Sequence, residues 1–268
     1  MRPQIVLLGD SITERGFVFS MNGWALQLAS WYGVKADIVN RGHSGYNTRI
    51  AMELLEERRE GWYHSMDSER PADLVVIFWG ANDAALNGKQ GIPVTEYKQR
   101  LRTQIHNVRC AGKAFSKSQT GSPKDYTQVI IITPPPVDDN SWLSAMKEKY
   151  AATNTNATPE DLASITLDRN NDTTKLYAEA AKEVGVLDQC PVIDLYNDMQ
   201  NASKNYCSFL SDGLHLSSEG NDFLYKSLRS TIKKSFPELQ PKNITKDFLE
   251  WRDALEASDA KRKELASQ

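Results

Sequence analysis

Asp10, Ser11 and Thr13 follow directly on the apolar run Ile5-Val6-Leu7-Leu8 and on Gly9. A hydroxyl and a carboxylate placed where a buried strand surfaces can be turn chemistry, since Gly, Asp and Ser all favour turns. They can equally be a nucleophile and the turn that presents it. A serine that attacks an ester needs a base within hydrogen-bonding reach, and histidine is the usual one because it titrates near neutrality. The chain has four histidines. His64 lies in a polar stretch, and His106 flanks the helical stripe Tyr97, Leu101, Ile105 and Val108. His43 and His215 remain as competitors. His215 has Asp212 three residues before it, one helical turn away, so that carboxylate could accept from Nδ1–H and aim Nε2 at Ser11. The segment Ser211-Asp212-Gly213 reads equally well as a plain turn before a helix starting near Ser217.

For these residues to meet, a scaffold must bring their loops to one place. Five short apolar runs rich in β-branched residues are expected to be buried parallel strands: 4–8, 36–40, 74–79, 128–133 and 192–195. Helical spacing falls between them, with Trp24, Leu28 and Trp31 in one segment, Ile50, Leu54 and Leu55 in the next, and the Tyr97 stripe in a third. Strands alternating with helices predict an α/β domain with a parallel sheet covered on both faces, whose ligands bind outside the carboxyl ends of the strands. After the first strand comes Gly9-Asp10-Ser11. After the second comes the stretch 40–47, whose Gly42 and Gly45 let backbone approach a ligand. The third leads into Gly80-Ala81-Asn82-Asp83, which puts the Asn82 amide at a strand end. The fourth leads into Thr133 and Pro134-Pro135-Pro136, a stiff wall without amide hydrogens. Asp10 is expected to brace the nucleophile turn or touch substrate. Trp79 and Pro134 are expected beside the site, although strand alternation from Ile77 turns Trp79 toward a helix.

Composition bounds the partners. With 268 residues, 40% hydrophobic and 25% charged, the chain is an ordinary globular sequence able to bury a large core. A net charge of -3 gives no reason to expect nucleic acid or an anionic membrane surface. No apolar run reaches membrane-spanning length, and the N-terminus enters a strand without the features of a secretory signal. Three cysteines without Cys-x-x-Cys spacing argue for reduced thiols in the cytoplasm and against zinc. Asn-x-Ser/Thr sequons at Asn156, Asn171, Asn201 and Asn243 would matter only in a secreted chain.

The stretches GDSIT, NRGHSG, WGAND and SDGLH stand in the order of the four blocks of the SGNH (GDSL-type) hydrolases, which the chain resembles over roughly residues 4–234. It is most similar to the isoamyl acetate-hydrolysing esterase subgroup, as in LLGDSITERGF, IFWGANDAAL, IITPPPVDD and FLSDGLHLSSEGNDFLY. The resemblance implies a three-layer α/β/α, flavodoxin-like fold with a five-stranded parallel sheet. It implies a serine esterase with no metal or cofactor, acting through an acyl-enzyme on short-chain, acetate-type esters of small aliphatic alcohols. Ser11 would be nucleophile, His215 base and Asp212 its orienter, with the Ser11 and Gly42 amides and the Asn82 side chain forming the oxyanion hole. Lysophospholipase, thioesterase or carbohydrate acetylesterase activity would use the same site.

Two rival classes remain. Asp10, Asp83, Asp194 and Asp212 lie near strand ends and could hold Mg²⁺ for phosphoryl transfer, although no G-x-x-x-x-G-K phosphate loop accompanies them. A binding module that kept the fold without the chemistry is the other. The hydrolase domain is expected over 1–240, with a lid-like excursion at about 137–168. Residues 241–268 are expected to form a helical tail whose apolar start (Phe248, Leu249, Trp251, Leu255) serves a homodimer.

Overall fold

The computed structural model describes residues 2–57, 71–119, 127–203 and 205–266; His64 lies outside them. In chain order the elements are β1 (Gln4–Gly9), α1 (Ser11–Glu14), α2 (Trp24–Tyr32), β2 (Asp37–Gly42), α3 (Thr48–Glu57), β3 (Leu74–Phe78), α4 (Val94–Gln119) and β4 (Gln128–Ile132). Then follow α5 (Asp139–Thr153), α6 (Pro159–Ser164), α7 (Asn171–Leu187), β5 (Val192–Ile193), α8 (Leu195–Ala202), α9 (Ser218–Ser235) and α10 (Trp251–Ala266). The five strands are parallel, in the order β2-β1-β3-β4-β5. Strand order reverses beside β1, which is where the loops after β1 and β3 part and a crevice opens.

The period of two along each strand divides the interior into two cores. Ile5 and Leu7 of β1 and Val76 and Phe78 of β3 face α2 and α9, meeting Trp24, Leu28, Leu224, Leu228 and Ile232. Val6, Leu8, Val75 and Ile77 face the other way, onto Tyr97, Leu101 and Ile105 of α4 and Ala181 and Val184 of α7. All of these are buried on both sides of the sheet, which is why the strands read as continuous apolar runs.

Strand ends differ from expectation by at most two residues. β2 begins a residue later and runs two residues further, pairing Gly9 with Gly42. β5 is short because Asp194 leaves the ladder to cap α8, its side chain accepting from Asn197 N–H. The excursion at 137–168 contains two helices, α5 capped by Asp138 and α6 opened by a capping box at Thr158 and Asp161. The tail helix starts at Trp251, and Phe248, Leu249, Trp251 and Leu255 are all exposed. No described helix is long and apolar enough to cross a membrane.

Candidate active site

Ser11 opens α1 two residues after β1 ends, with Asp10 between them. Asp10 caps that helix, its Oδ1 accepting from Ile12 N–H at 2.9 Å. Burial, with the neighbouring Asp83 carboxylate adding to it, pushes the Asp10 carboxyl up to about 7. The Asp83 carboxyl is likewise pushed up to about 6, by burial, although Thr48 donates to its Oδ1 from both N–H (2.9 Å) and Oγ (2.6 Å). Asp10 therefore shapes the turn from beneath.

Across the crevice, the segment before α9 brings His215 to the serine. Ser11 Oγ and His215 Nε2 are 2.9 Å apart, and His215 Nδ1 is 2.7 Å from Asp212 Oδ2. Asp212 Oδ1 accepts from the His215 and Leu214 amides at 2.8 and 3.0 Å. Burial alone would raise the Asp212 carboxyl; its bond to His215, the imidazole charge and these two amides outweigh that and hold it at about 2. The turn and the Asp212–His215 pair, alternatives in sequence, coexist: Asp212 closes the turn with one oxygen and holds the ring with the other.

Asn82 is buried at the end of β3 and faces the cleft, with Nδ2 donating to the Tyr46 carbonyl at 2.8 Å and Oδ1 accepting from Arg169 at 2.6 Å. The cleft encloses about 630 Å³. One face of α5 forms its far wall: Trp142, Ala145, Met146, Lys149, Tyr150 and Thr153 recur at helical spacing. The excursion is thus a wall of the site.

Several expected residues lie elsewhere. Gly42 is not in the cleft: still paired in β2, it donates its N–H to Asn40 Oδ1 at 2.8 Å. A side chain there would meet Glu14 N at 2.1 Å, so the glycine serves the close packing of β2 on the turn that carries Ser11. Gly45, three residues on and at φ +82°, lines the cleft instead. Asp10 is under the turn and does not reach the cleft. Trp79 continues the alternation of β3 into the second core, where Nε1–H donates to Gln104 Oε1 at 3.0 Å. Pro134 is buried against Gly80, because the two follow the neighbouring parallel strands β4 and β3. His43 stacks against Tyr46 outside the cleft, its backbone N–H on the Gly9 carbonyl. His106 sits on the exposed side of α4, near Cys110. The four carboxylates that could have shared Mg²⁺ have separate tasks: Asp10 and Asp194 cap helices, Asp83 holds Thr48 and Asp212 holds His215.

Sequence reasoning missed Arg169, Asp168 and Gln90, all of which line the cleft. Asp168 and Arg169 precede the cap of α7 in a polar stretch, where such residues are ordinarily solvated. Nothing local marks Arg169 as buried.

The sequence matches the GDSL-like Lipase/Acylhydrolase family over residues 7–223, four-fifths of the chain. The chain belongs to that family. The human isoamyl acetate-hydrolyzing esterase 1 homolog is 36% identical over 95% of this chain and 89% of its own length. A GDSL esterase/lipase of Arabidopsis thaliana is 34% identical over 92% of each. Among solved structures, the lipase/acylhydrolase of Enterococcus faecalis superposes with a TM-score of 0.58 at 24% identity, covering 93% of this chain and all of its own, a likeness of fold. This GDSL-family member is a carboxylic ester hydrolase.

Proposed function

We propose that the protein hydrolyses short-chain, acetate-type esters of small aliphatic alcohols through an acyl-enzyme, with Ser11 as nucleophile, His215 as base and Asp212 as its orienter. The relay of 2.9 and 2.7 Å from Ser11 through His215 to Asp212 at the edge of the cleft carries the reading. In the first half-reaction Ser11 Oγ bonds to the ester carbonyl carbon while His215 Nε2 takes its proton. The tetrahedral intermediate collapses, the C–O bond to the alcohol breaks, and Nε2 returns the proton to the leaving oxygen. Water then repeats the sequence on the acyl-enzyme, releasing the acid and restoring Ser11. Asp212, ionised far below neutrality, stabilises the imidazolium that forms twice per turnover.

The developing oxyanion needs donors in place beforehand. The Ser11 N–H stands in the first turn of α1, where no intrahelical carbonyl can accept it. The second N–H of the Asn82 amide and the Gly45 N–H, which replaces the one expected from Gly42, complete the set. Trp142, Ala145, Met146 and Leu214 offer apolar surface to the acyl or alcohol group, in a volume suited to a small molecule. Relatives from human and mouse carry isoamyl acetate hydrolysis in their names, which supports acetate esters as the substrate class. Three cysteines without a disulfide support a cytoplasmic setting.

Hydrolysis of p-nitrophenyl esters from acetate to palmitate tests the substrate, and fluorophosphonate labelling tests the nucleophile. Rates should be highest at two to four acyl carbons, and the label should sit on Ser11. Faster turnover of palmitate would overturn the short-chain reading; labelling that persists in Ser11→Ala would overturn the nucleophile.

A further inference from the structure

Arg169 is 4% exposed, and a buried guanidinium is tolerated only where its N–H groups are met. Four of its donors end on oxygens of the active-site loops. Nε donates to the Ala81 carbonyl (3.1 Å), Nη1 to Asp168 Oδ2 (2.6 Å), and Nη2 to both Asn82 Oδ1 (2.6 Å) and Gln90 Oε1 (2.8 Å). Gln90 passes the constraint on, its Nε2 donating to the Gly45 carbonyl at 2.9 Å. One side chain thus holds Asn82 directly and Gly45 through Gln90, two of the three residues proposed to donate to the oxyanion.

We propose that Arg169 is the positioning residue of the oxyanion hole, fixing Asn82 directly and Gly45 through Gln90. The inference rests on the hydrolase reading above. An asparagine amide can turn over, exchanging its oxygen and nitrogen at nearly the same shape. Here Arg169 can only donate and the Tyr46 carbonyl can only accept, so the turned amide would lose both bonds. Nδ2 is held toward Tyr46, and its second hydrogen is left for the substrate oxygen. A cation on Oδ1 also draws electron density through the amide and makes that N–H a stronger donor. Asp168 neutralises the guanidinium and accepts from Trp142 Nε1–H at 2.7 Å. Trp142 lies beneath the guanidinium (5.7 Å to the ring centre) and edge-on to His215 (6.1 Å between rings). Arg169 therefore links the donors of the hole to the α5 wall and to the base.

The test is a double-mutant cycle on p-nitrophenyl acetate with Arg169→Met, Asn82→Ala and the pair, every protein first checked by circular dichroism. Loss of one oxyanion donor costs about a hundredfold or more in kcat, so Arg169→Met should lower kcat by about 10- to 100-fold with little change in KM. Because the part of Arg169's effect that runs through Asn82 is already gone in Asn82→Ala, the loss in the double variant should fall well short of the product of the two single losses. Arg169→Lys, which keeps the charge but not the fork, should fall between wild type and Arg169→Met, and it replaces Arg169→Met in the cycle if the latter does not fold. Multiplicative losses, or a change in KM alone, overturn the role of Arg169 while leaving the esterase reading intact. An Asn82→Ala enzyme of undiminished kcat overturns the donor assignment and this inference with it. Turnover by Ser11→Ala overturns the hydrolase mechanism itself.

Discussion

Asp212→Asn separates what the carboxylate does for the turn from what it does for the base. Oδ1 of the new amide still accepts from the His215 and Leu214 amides, so the turn survives. Its NH₂ then takes the place of Oδ2, 2.7 Å from Nδ1. Two donors cannot face each other, so Nδ1 gives up its proton and becomes the acceptor. The proton moves to Nε2, which then points N–H at Ser11 Oγ and can no longer deprotonate it. The same exchange in a serine protease triad lowers kcat about 10⁴-fold, equivalent to about 5.5 kcal/mol. Part of that can be worked from this site. Asp212 is held at about 2 instead of the ordinary 3.8, a difference of about 2 kcal/mol between its charged and neutral forms. Its side chain is 28% exposed, so solvent screens it only in part. Part of that difference comes from the two backbone amides that Asp212→Asn keeps, so lost charge stabilisation falls short of the expected loss and the wrong tautomer carries the larger share. Initial rates of p-nitrophenyl acetate hydrolysis near pH 8 give kcat, expected about 10³ to 10⁴ below wild type. The depressed carboxyl also contributes stability that is present above about pH 4 and lost as pH falls through about 2, a loss that Asp212→Asn should not show in acid melts. An Asp212→Asn enzyme retaining more than about a tenth of wild-type kcat would refute the tautomer argument.

Ser11→Ala and His215→Ala should each abolish turnover at similar cost, and the double variant should be no worse than either, since nucleophile and base act as a unit; His43→Ala should be far milder, and the reverse order would make His43 the base. Asp10 and Asp83, raised to about 7 and about 6 from 3.8, contribute stability that is complete below about pH 4 and fades as pH rises toward 7. Thermal melts should show Asp83→Asn flattening that fall; a slope equal to wild type would mean the buried carboxyl is not its source. We also propose that the exposed Phe248, Leu249, Trp251 and Leu255 pack against a second copy in a homodimer. Light scattering should then give a dimer for the full chain and a monomer for one ending at Lys242; a full-length monomer would reduce the tail to a solvated appendage.

Strands β1, β3 and β4 were readable because they are buried on both faces and so appear as nearly unbroken apolar runs. By contrast β2, at the sheet edge and only partly buried, is marked by little more than Ile38 and Val39. The chemistry-bearing loops followed from the rule that strand ends converge. What escaped was set by distances no local pattern carries. Gly42 and Gly45 are the same residue type, three positions apart, and both read as places where backbone meets a ligand. Two further ladder residues in β2 keep Gly42 in the sheet and deliver Gly45 to the cleft. Trp79 and Pro134 sit at strand ends as expected, but alternation sends one into the core and the side-by-side exit of β3 and β4 packs the other on Gly80. Arg169 escaped for a different reason. An arginine among Asp and Asn looks solvated until the Ala81, Asn82 and Gln90 oxygens, some 80 to 90 positions earlier, are seen to surround it.

The Ser11–His215 contact joins positions 204 residues apart. During synthesis at roughly 5–20 residues per second, the hydroxyl emerges about 10–40 s before its base has been made. A nascent chain therefore carries a serine with no more reactivity toward esters than any other. The same separation makes turnover a gauge of complete folding. Helices such as α4 and α7 can form from neighbouring residues, and circular dichroism registers them as they do. On the proposed mechanism hydrolysis begins only when the segment before α9 has docked on the end of β1, so recovered activity in a refolding experiment times a closure across 204 residues.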